Sequence, residues 1–238
     1  MKKINDLKVK IFADGADIDG MIEMNNNPLI KGLTTNPTLM KKAGITDYIS
    51  FAKEILVHIK EKPISFEVFA DDFDEMERQA NIIATWGKNV YVKIPITNTK
   101  RISTLPLVKT LSSNGVKLNI TAMMTLAQVQ EVTPALASGA GGYVSVFAGR
   151  IADTGVDPLP LMQEVIEYLK DFPNVELIWA SPREVLNVIQ ANDIGCHIIT
   201  VTNDVIKKLN MLGKNLDQFS LETVQMFYND AQAAGFNI

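Results

Sequence analysis

Short apolar runs alternate with longer stretches of helical period along the whole chain. The runs fall at 9–13, 32–35, 64–70, 90–96, 117–122, 142–147, 175–180 and 197–201. Apolar residues at three-to-four spacing are clearest at 45–60, 74–86 and 158–169. Strand–helix alternation of this kind implies parallel strands joined by right-handed crossovers. About eight such units in 238 residues predict an α/β fold, a single-domain (β/α)8 (TIM) barrel over residues 1–238. A doubly wound open sheet is the alternative. There is no internal repeat, low-complexity tract or linker. Residues 216–234 read as a final amphipathic helix with Leu221, Val224, Met226 and Phe227 apolar. That face is available either to cover the barrel or to dock on a neighbouring subunit of a homo-oligomer.

The composition, 47% hydrophobic and 21% charged, is that of a globular domain. A net charge of −4 argues against a nucleic-acid binder. An anionic ligand would need local positive charge instead. Cys196 is the single cysteine, so no internal disulfide forms and a reducing cytoplasm is expected. With only His58 and His197 beside it, no zinc site of the usual ligands is expected. Met1-Lys2-Lys3 is basic, but no apolar run of signal-peptide length follows, and nothing approaches a membrane span.

One strand carries an unexpected residue. Val90-Tyr91-Val92-Lys93-Ile94-Pro95-Ile96-Thr97 reads as buried, with a lysine in its middle. A buried ammonium is costly, so Lys93 either snorkels out, is paired, or is held near neutrality, where its amine attacks carbonyls. In a barrel, chemistry gathers at the C-terminal ends of strands. There the sequence places Asp14, Thr34-Thr35-Asn36, Glu67, Lys93, Asn119 with Thr121, Ser145 with Arg150, and Ser181 with Arg183. Charged groups of both signs in several barrel strands fit a binding site better than packing.

Each candidate has a plainer reading. Asp14 precedes Gly15-Ala16-Asp17-Ile18-Asp19-Gly20, which fails as a calcium loop because Gly15 falls where the first ligand belongs. Asp17 reads as a helix N-cap, and Asp14 as either a proton-transfer acid or a second cap. Asn36-Pro37 and Ser181-Pro182 both look like an N-cap followed by proline at the first helical position. Arg183 would then sit in a first helical turn, against the dipole, unless an anion lay between them. Arg150 could be a second fork on that anion, and either arginine could be an ordinary surface ion pair. Glu67 could pair with Lys93. Asp71 to Glu75 read as a loop and helix start, Thr99-Lys100-Arg101 as a solvated loop, and Met123-Met124 and Cys196-His197 as packing.

Five segments occur in order, each at a strand end. They are Gly32-Leu33-Thr34-Thr35-Asn36-Pro37, Val92-Lys93-Ile94-Pro95, Asn119-Ile120-Thr121, Ser145-Val146-Phe147-Ala148-Gly149-Arg150-Ile151 and Ala180-Ser181-Pro182-Arg183. With these the chain resembles the transaldolase family, over most of its length and closest to the short branch that includes fructose-6-phosphate aldolases. The resemblance implies a (β/α)8 barrel and a Schiff base from Lys93 to the C2 carbonyl of a ketose phosphate. Asp14 would move the proton of the C4 hydroxyl, and Glu67 and Thr121 would hold a relay water. Asn36, Asn119 and Ser145 would bind the dihydroxyacetone hydroxyls, and Arg150, Ser181 and Arg183 the phosphate. No metal and no cofactor is implied, and the partners are sugar phosphates.

Within that resemblance, Glu67, Phe147 and Arg183 follow the transferase pattern. The aldolase branch resembles glutamine, tyrosine and lysine at those positions, so transfer is expected over release of free dihydroxyacetone. Val146 and Pro182 depart from proline and phenylalanine of the long transaldolases. Both flank the anion-binding residues, which leaves a modified acidic sugar as an alternative substrate.

Overall fold

The computed structural model describes residues 4–236 and closes eight strands into one barrel. The strands are β1 (Lys10–Asp14), β2 (Ile30–Thr34), β3 (Ile64–Glu67), β4 (Val90–Pro95), β5 (Leu118–Met123), β6 (Gly142–Val146), β7 (Val175–Trp179) and β8 (Ile198–Thr202). They stand in sequence order and every neighbouring pair is parallel. Pairing of β1 with β8 closes the cylinder, so the open-sheet alternative does not apply.

The outer layer follows the same alternation. After β1 comes α1 (Ile18–Asn26), and after β2 come α2 (Pro37–Lys42) and α3 (Tyr48–His58). Single helices α4 (Phe73–Ala84), α5 (Leu105–Ser113) and α6 (Leu126–Ala137) follow β3, β4 and β5. Two more, α7 (Ala148–Ala152) and α8 (Leu159–Leu169), follow β6. The last are α9 (Val185–Asp193) after β7, then α10 (Asn203–Lys208) and α11 (Leu216–Ala233) after β8. Side-chain caps start several of them. Asp17 accepts from Gly20 N–H and Asn36 from Leu39 N–H, as their residue types predict. Asp72 caps α4, with Asp74 and Glu75 in its first turn, as read from sequence.

Alternation along the strands separates two cores. One set of positions, with Leu33, Phe66, Val92, Ile120, Val144 and Trp179, packs beneath the helices. The other set fills the barrel, where Phe12, Tyr143, Ile178, Ala180 and Ile198 cluster with Tyr91 and Phe147 against them. Phe12 meets Tyr143 edge-on, and Tyr91 stacks on Tyr143 at 4.2 Å. Gly32 is required in this layer, because a Cβ there would lie 2.5 Å from the Phe12 ring. Above this apolar floor the inward positions turn polar.

Two boundaries differ from the sequence pattern. The third run ends at Glu67 rather than residue 70, since Phe69 and Ala70 donate their N–H groups to the Gln79 side chain. The last helix forms as expected, but none of its residues is buried. Its apolar face therefore does not cover the barrel. Among the described residues no helix is long and apolar enough to cross a membrane.

Candidate active site

Lys93 is buried in the middle of β4, with only 8% of its side chain exposed. Its Nζ donates to Glu67 Oε2 at 2.9 Å and to the Thr35 carbonyl at 2.8 Å. The ammonium is thus paired, not snorkelled. β3 and β4 are in register with Glu67 beside Lys93, so both side chains leave neighbouring strands at one level.

Asp14, at the end of β1, accepts from Thr34 Oγ1 at 2.8 Å and from Asn36 Nδ2 at 3.0 Å. Burial raises its pKa above the ordinary carboxylate range, against the opposing pull of the Lys93 charge and these two hydrogen bonds. Asn36 does two things at once, since its Oδ1 caps α2 while its Nδ2 orients Asp14. Thr34 also meets Thr200 Oγ1 from β8 at 2.6 Å.

On the other side of Lys93, Asn119 donates to Ser65 Oγ at 3.1 Å and accepts from Ser145 Oγ at 2.7 Å. Thr121 Oγ1 is buried without a hydrogen-bond partner, one of two such side-chain atoms among the described residues. The β5–β6 register shifts between Ile120 and Met123, and Ala122 takes a left-handed φ of 63°. This strained bulge sits directly after Thr121. A buried hydroxyl left open at a cavity wall is a place for water or ligand.

The end of the site formed by β6 and β7 differs from the sequence expectation. Ser181-Pro182 does not begin a helix. Ser181 adopts φ 60°, and α9 starts at Val185 after Asn187 Oδ1 accepts from the N–H groups of Arg183 and Glu184. The bend depends on Gly149, where a Cβ would lie 1.5 Å from the Ser181 carbonyl. Arg183 consequently lies ahead of the helix and not in its first turn. Its Nε donates to Asp153 Oδ1 at 2.9 Å and its Nη2 to Asp153 Oδ2. The Arg183 guanidinium holds the Asp153 carboxyl below its usual range. Arg183 thus forms a half-exposed ion pair with Asp153. Two of five guanidinium N–H groups are engaged, leaving the rest free. Arg150 lies 6.0 Å from the centroid of the Phe147 ring.

These parts enclose a cavity of ≈ 390 Å³ at the C-terminal mouth of the barrel. Asp14, Asn36, Glu67, Lys93, Asn119, Thr121, Ser145, Phe147, Arg150, Ser181 and Arg183 all line it. Every site residue picked from the sequence is thus brought to one place. Thr99, by contrast, bonds Asp71 through its N–H and hydroxyl, and Lys100 and Arg101 are exposed away from this cavity.

Residues 11–238 match the family model described as transaldolase/fructose-6-phosphate aldolase. The chain belongs to this family. A Thermoanaerobacter sp. (strain X514) protein named "Probable transaldolase" is 36% identical over 97% of this chain and 100% of its own length. Proteins with the same name from Dehalococcoides mccartyi and Clostridium acetobutylicum are 36% and 37% identical, each over 84% of this chain and 90% and 89% of theirs. The crystal structure of a Burkholderia cenocepacia J2315 protein superposes with TM-score 0.59 at 10% identity, covering 89% of this chain and 94% of that one, a likeness of fold alone. Membership fits the eight-stranded barrel and the polar ring at its mouth.

Sequence reasoning missed four contributors. Thr200 joins the Asp14 cluster, Ser65 supports Asn119, Asp153 grips Arg183, and Tyr48 touches Glu67. Thr200 and Ser65 lie at inward strand positions, a signal present in the period. Asp153 and Tyr48 lie in or beside helices and carried none.

Proposed function

We propose that the chain is a transferase that moves a dihydroxyacetone unit from a ketose phosphate, such as fructose 6-phosphate or sedoheptulose 7-phosphate, to an aldehyde acceptor. A Schiff base on Lys93 carries the unit. The observation that supports this most directly is the buried Lys93 Nζ, 2.9 Å from Glu67 in a cavity also lined by Asp14. A lysine so placed has a carboxylate ready to take its proton as the amine attacks.

The Lys93 amine adds to C2 of the ketose, the former carbonyl oxygen takes up protons, and water leaves the carbinolamine to give the protonated imine. Asp14 takes the proton of the C4 hydroxyl, C3–C4 breaks, and its electron pair moves into the imine to give an enamine. The aldehyde fragment departs. The enamine then attacks the acceptor aldehyde, Asp14 returns its proton to the new alkoxide, and water releases the product from Lys93. Glu67 and the open Thr121 hydroxyl are suited to hold the water that relays these protons. Asn36, Asn119 and Ser145 would orient the hydroxyls of the three-carbon unit. Arg150, Ser181 and the free N–H groups of Arg183 would hold the anion.

Transfer is favoured over simple cleavage by Phe147, which puts a ring without a hydroxyl on the cavity wall. A carbanion there has fewer donors for premature protonation, so the unit waits on Lys93 for an acceptor. Borohydride trapping with fructose 6-phosphate, read by peptide mapping, tests the proposal. An adduct on Lys93 that is lost in Lys93→Ala is expected. An adduct with a different acidic ketose only would change the donor, and no adduct from any ketose would overturn the reading.

The same reading extends to assembly. Leu221, Val224, Met226 and Phe227 on α11 are each at least half exposed. The groove between α3 and α4, lined by Ile49, Phe69, Ile82 and Trp86, offers a second apolar surface. We propose that α11 docks on a second copy of the chain. Light scattering should give an oligomer that dissociates when Val224 and Phe227 become glutamates, and a wild-type monomer would overturn this.

A further inference from the structure

The ladder between β2 and β3 stops one rung early. Leu33 N–H donates to the Pro63 carbonyl at 2.8 Å and Thr35 N–H to the Ser65 carbonyl at 3.2 Å. Continued by the same alternation, the next rung would take Glu67 N–H to the Thr35 carbonyl. Two other bonds stand in its place. Glu67 N–H donates to Tyr48 Oη at 2.8 Å, and the Tyr48 hydroxyl donates to the Glu67 carbonyl at 3.1 Å. The Thr35 carbonyl, left free, accepts from Lys93 Nζ at 2.8 Å.

Tyr48 is the first residue of α3, and its ring is wedged among Phe66, Phe69 and Trp86, with centroids 6.2, 4.6 and 5.7 Å away. That packing leaves the hydroxyl little freedom. Desolvation keeps the phenol well above its ordinary pKa, so it remains protonated and able to donate. A single side-chain oxygen thus satisfies both the Glu67 N–H, which the next rung would have paired with Thr35, and the Glu67 carbonyl, for which Pro37 has no N–H to offer.

We propose that Tyr48 is a positioning residue for the Lys93–Glu67 pair. Its hydroxyl replaces one ladder rung and so reserves the Thr35 carbonyl for Lys93. It also pins the backbone from which the Glu67 carboxylate reaches the same nitrogen. Without the hydroxyl, Glu67 N–H would be buried and unpaired, and the nearest remedy is to close the ladder onto Thr35. The lysine would then lose one of the two acceptors that aim it. This inference rests on the Schiff-base reading of Lys93.

Tyr48→Phe in the full chain tests it, since the ring and its packing are kept. The rate of borohydride-trapped adduct formation from fructose 6-phosphate should fall about tenfold. Inhibition by inorganic phosphate, which reads the arginine end, should not change. In a Glu67→Gln background the same substitution should have a smaller effect, because both act on one pair. An unchanged adduct rate in the folded variant, or an equal loss in both backgrounds, would overturn the proposal. A crystal structure of Tyr48→Phe reads the exchange without any sugar. Glu67 N–H on the Thr35 carbonyl supports the proposal, and a ladder still open there overturns it. A wild type that gives no adduct with any ketose would instead sink the Schiff-base reading, while that crystal structure still decides the ladder.

Discussion

The two ends of the cavity are built differently. At the Lys93 end, β1, β3, β4 and β5 supply Asp14, Glu67, Lys93 and Asn119; Asp14 and Lys93 each have two fixed partners, and Lys93 holds the Glu67 carboxylate. At the arginine end, the groups come from α7 after β6 and from the turn after β7. Arg183 and Asp153 are about half exposed there, and a left-handed Ser181 sets the bend. The buried end is pre-organised by the sheet itself. The exposed end is organised by local bonds that contribute little to stability but fix the plane of a guanidinium. Under the proposed function, bond-making would fall to the first end and recognition of the substrate's anion to the second.

The largest effect expected is at the buried end. Lys93→Ala should abolish both turnover and the trapped adduct in a folded protein, as checked by circular dichroism beside mass mapping. Residual turnover through another lysine would break the comparison at its root.

Asp14→Asn should lower kcat by about 10²–10⁴-fold, the usual weight of a general acid–base group. It should also stabilise the fold at neutral pH. The native pKa of Asp14 is raised, so its protonated form favours folding. That advantage is complete below the unfolded value of about 3.9 and is lost as pH rises through the higher native value. Above it the buried carboxylate works against the fold. Thermal melts should show the variant gaining at pH 7 and converging with the wild type in acid. A variant that melts lower at pH 7 would count against this account.

At the exposed end the effects should be smaller and confined to binding. Arg183→Ala should raise KM for a phosphorylated donor by about ten- to a hundredfold, the worth of a hydrogen bond to a charged group. It should leave the unphosphorylated ketose almost unaffected. Asp153→Ala should act in the same direction and more weakly, because it loosens the arginine without removing it. Equal losses on both substrates would show that the two ends are not separable.

The smallest effect sharpens the boundary between the ends. Phe147→Tyr places a hydroxyl near the carbanion and should yield acceptor-independent release of dihydroxyacetone above the wild-type background. No rise in that release would remove Phe147 from the account of transfer over cleavage.

The buried end was legible in the sequence because strand periodicity is a local property. Once Lys93 stands in an apolar run, its parity and that of Glu67, Asn119 and Ser145 follow from the period of two. Closure of the barrel then brings those positions to one level, as the register of β3 with β4 and β4 with β5 records. The arginine end misled because Ser181-Pro182 has the local grammar of a cap. A tertiary contact, Gly149 against the Ser181 carbonyl, overrides that preference and moves the helix start to Val185.

The amino-acid sequence therefore determined the eight-unit barrel, the polar ring at its mouth and eleven of the residues that line the cavity. Each depends on hydrophobic period and residue type, which the chain carries locally. Only the tertiary structure decided that Tyr48 replaces a ladder rung, that Asp153 holds Arg183, and that α11 buries none of its residues. Those contacts join residues 19 and 30 positions apart, or leave a helix without a buried face. No local pattern encodes them, because they depend on which groups the closed barrel brings together or leaves apart.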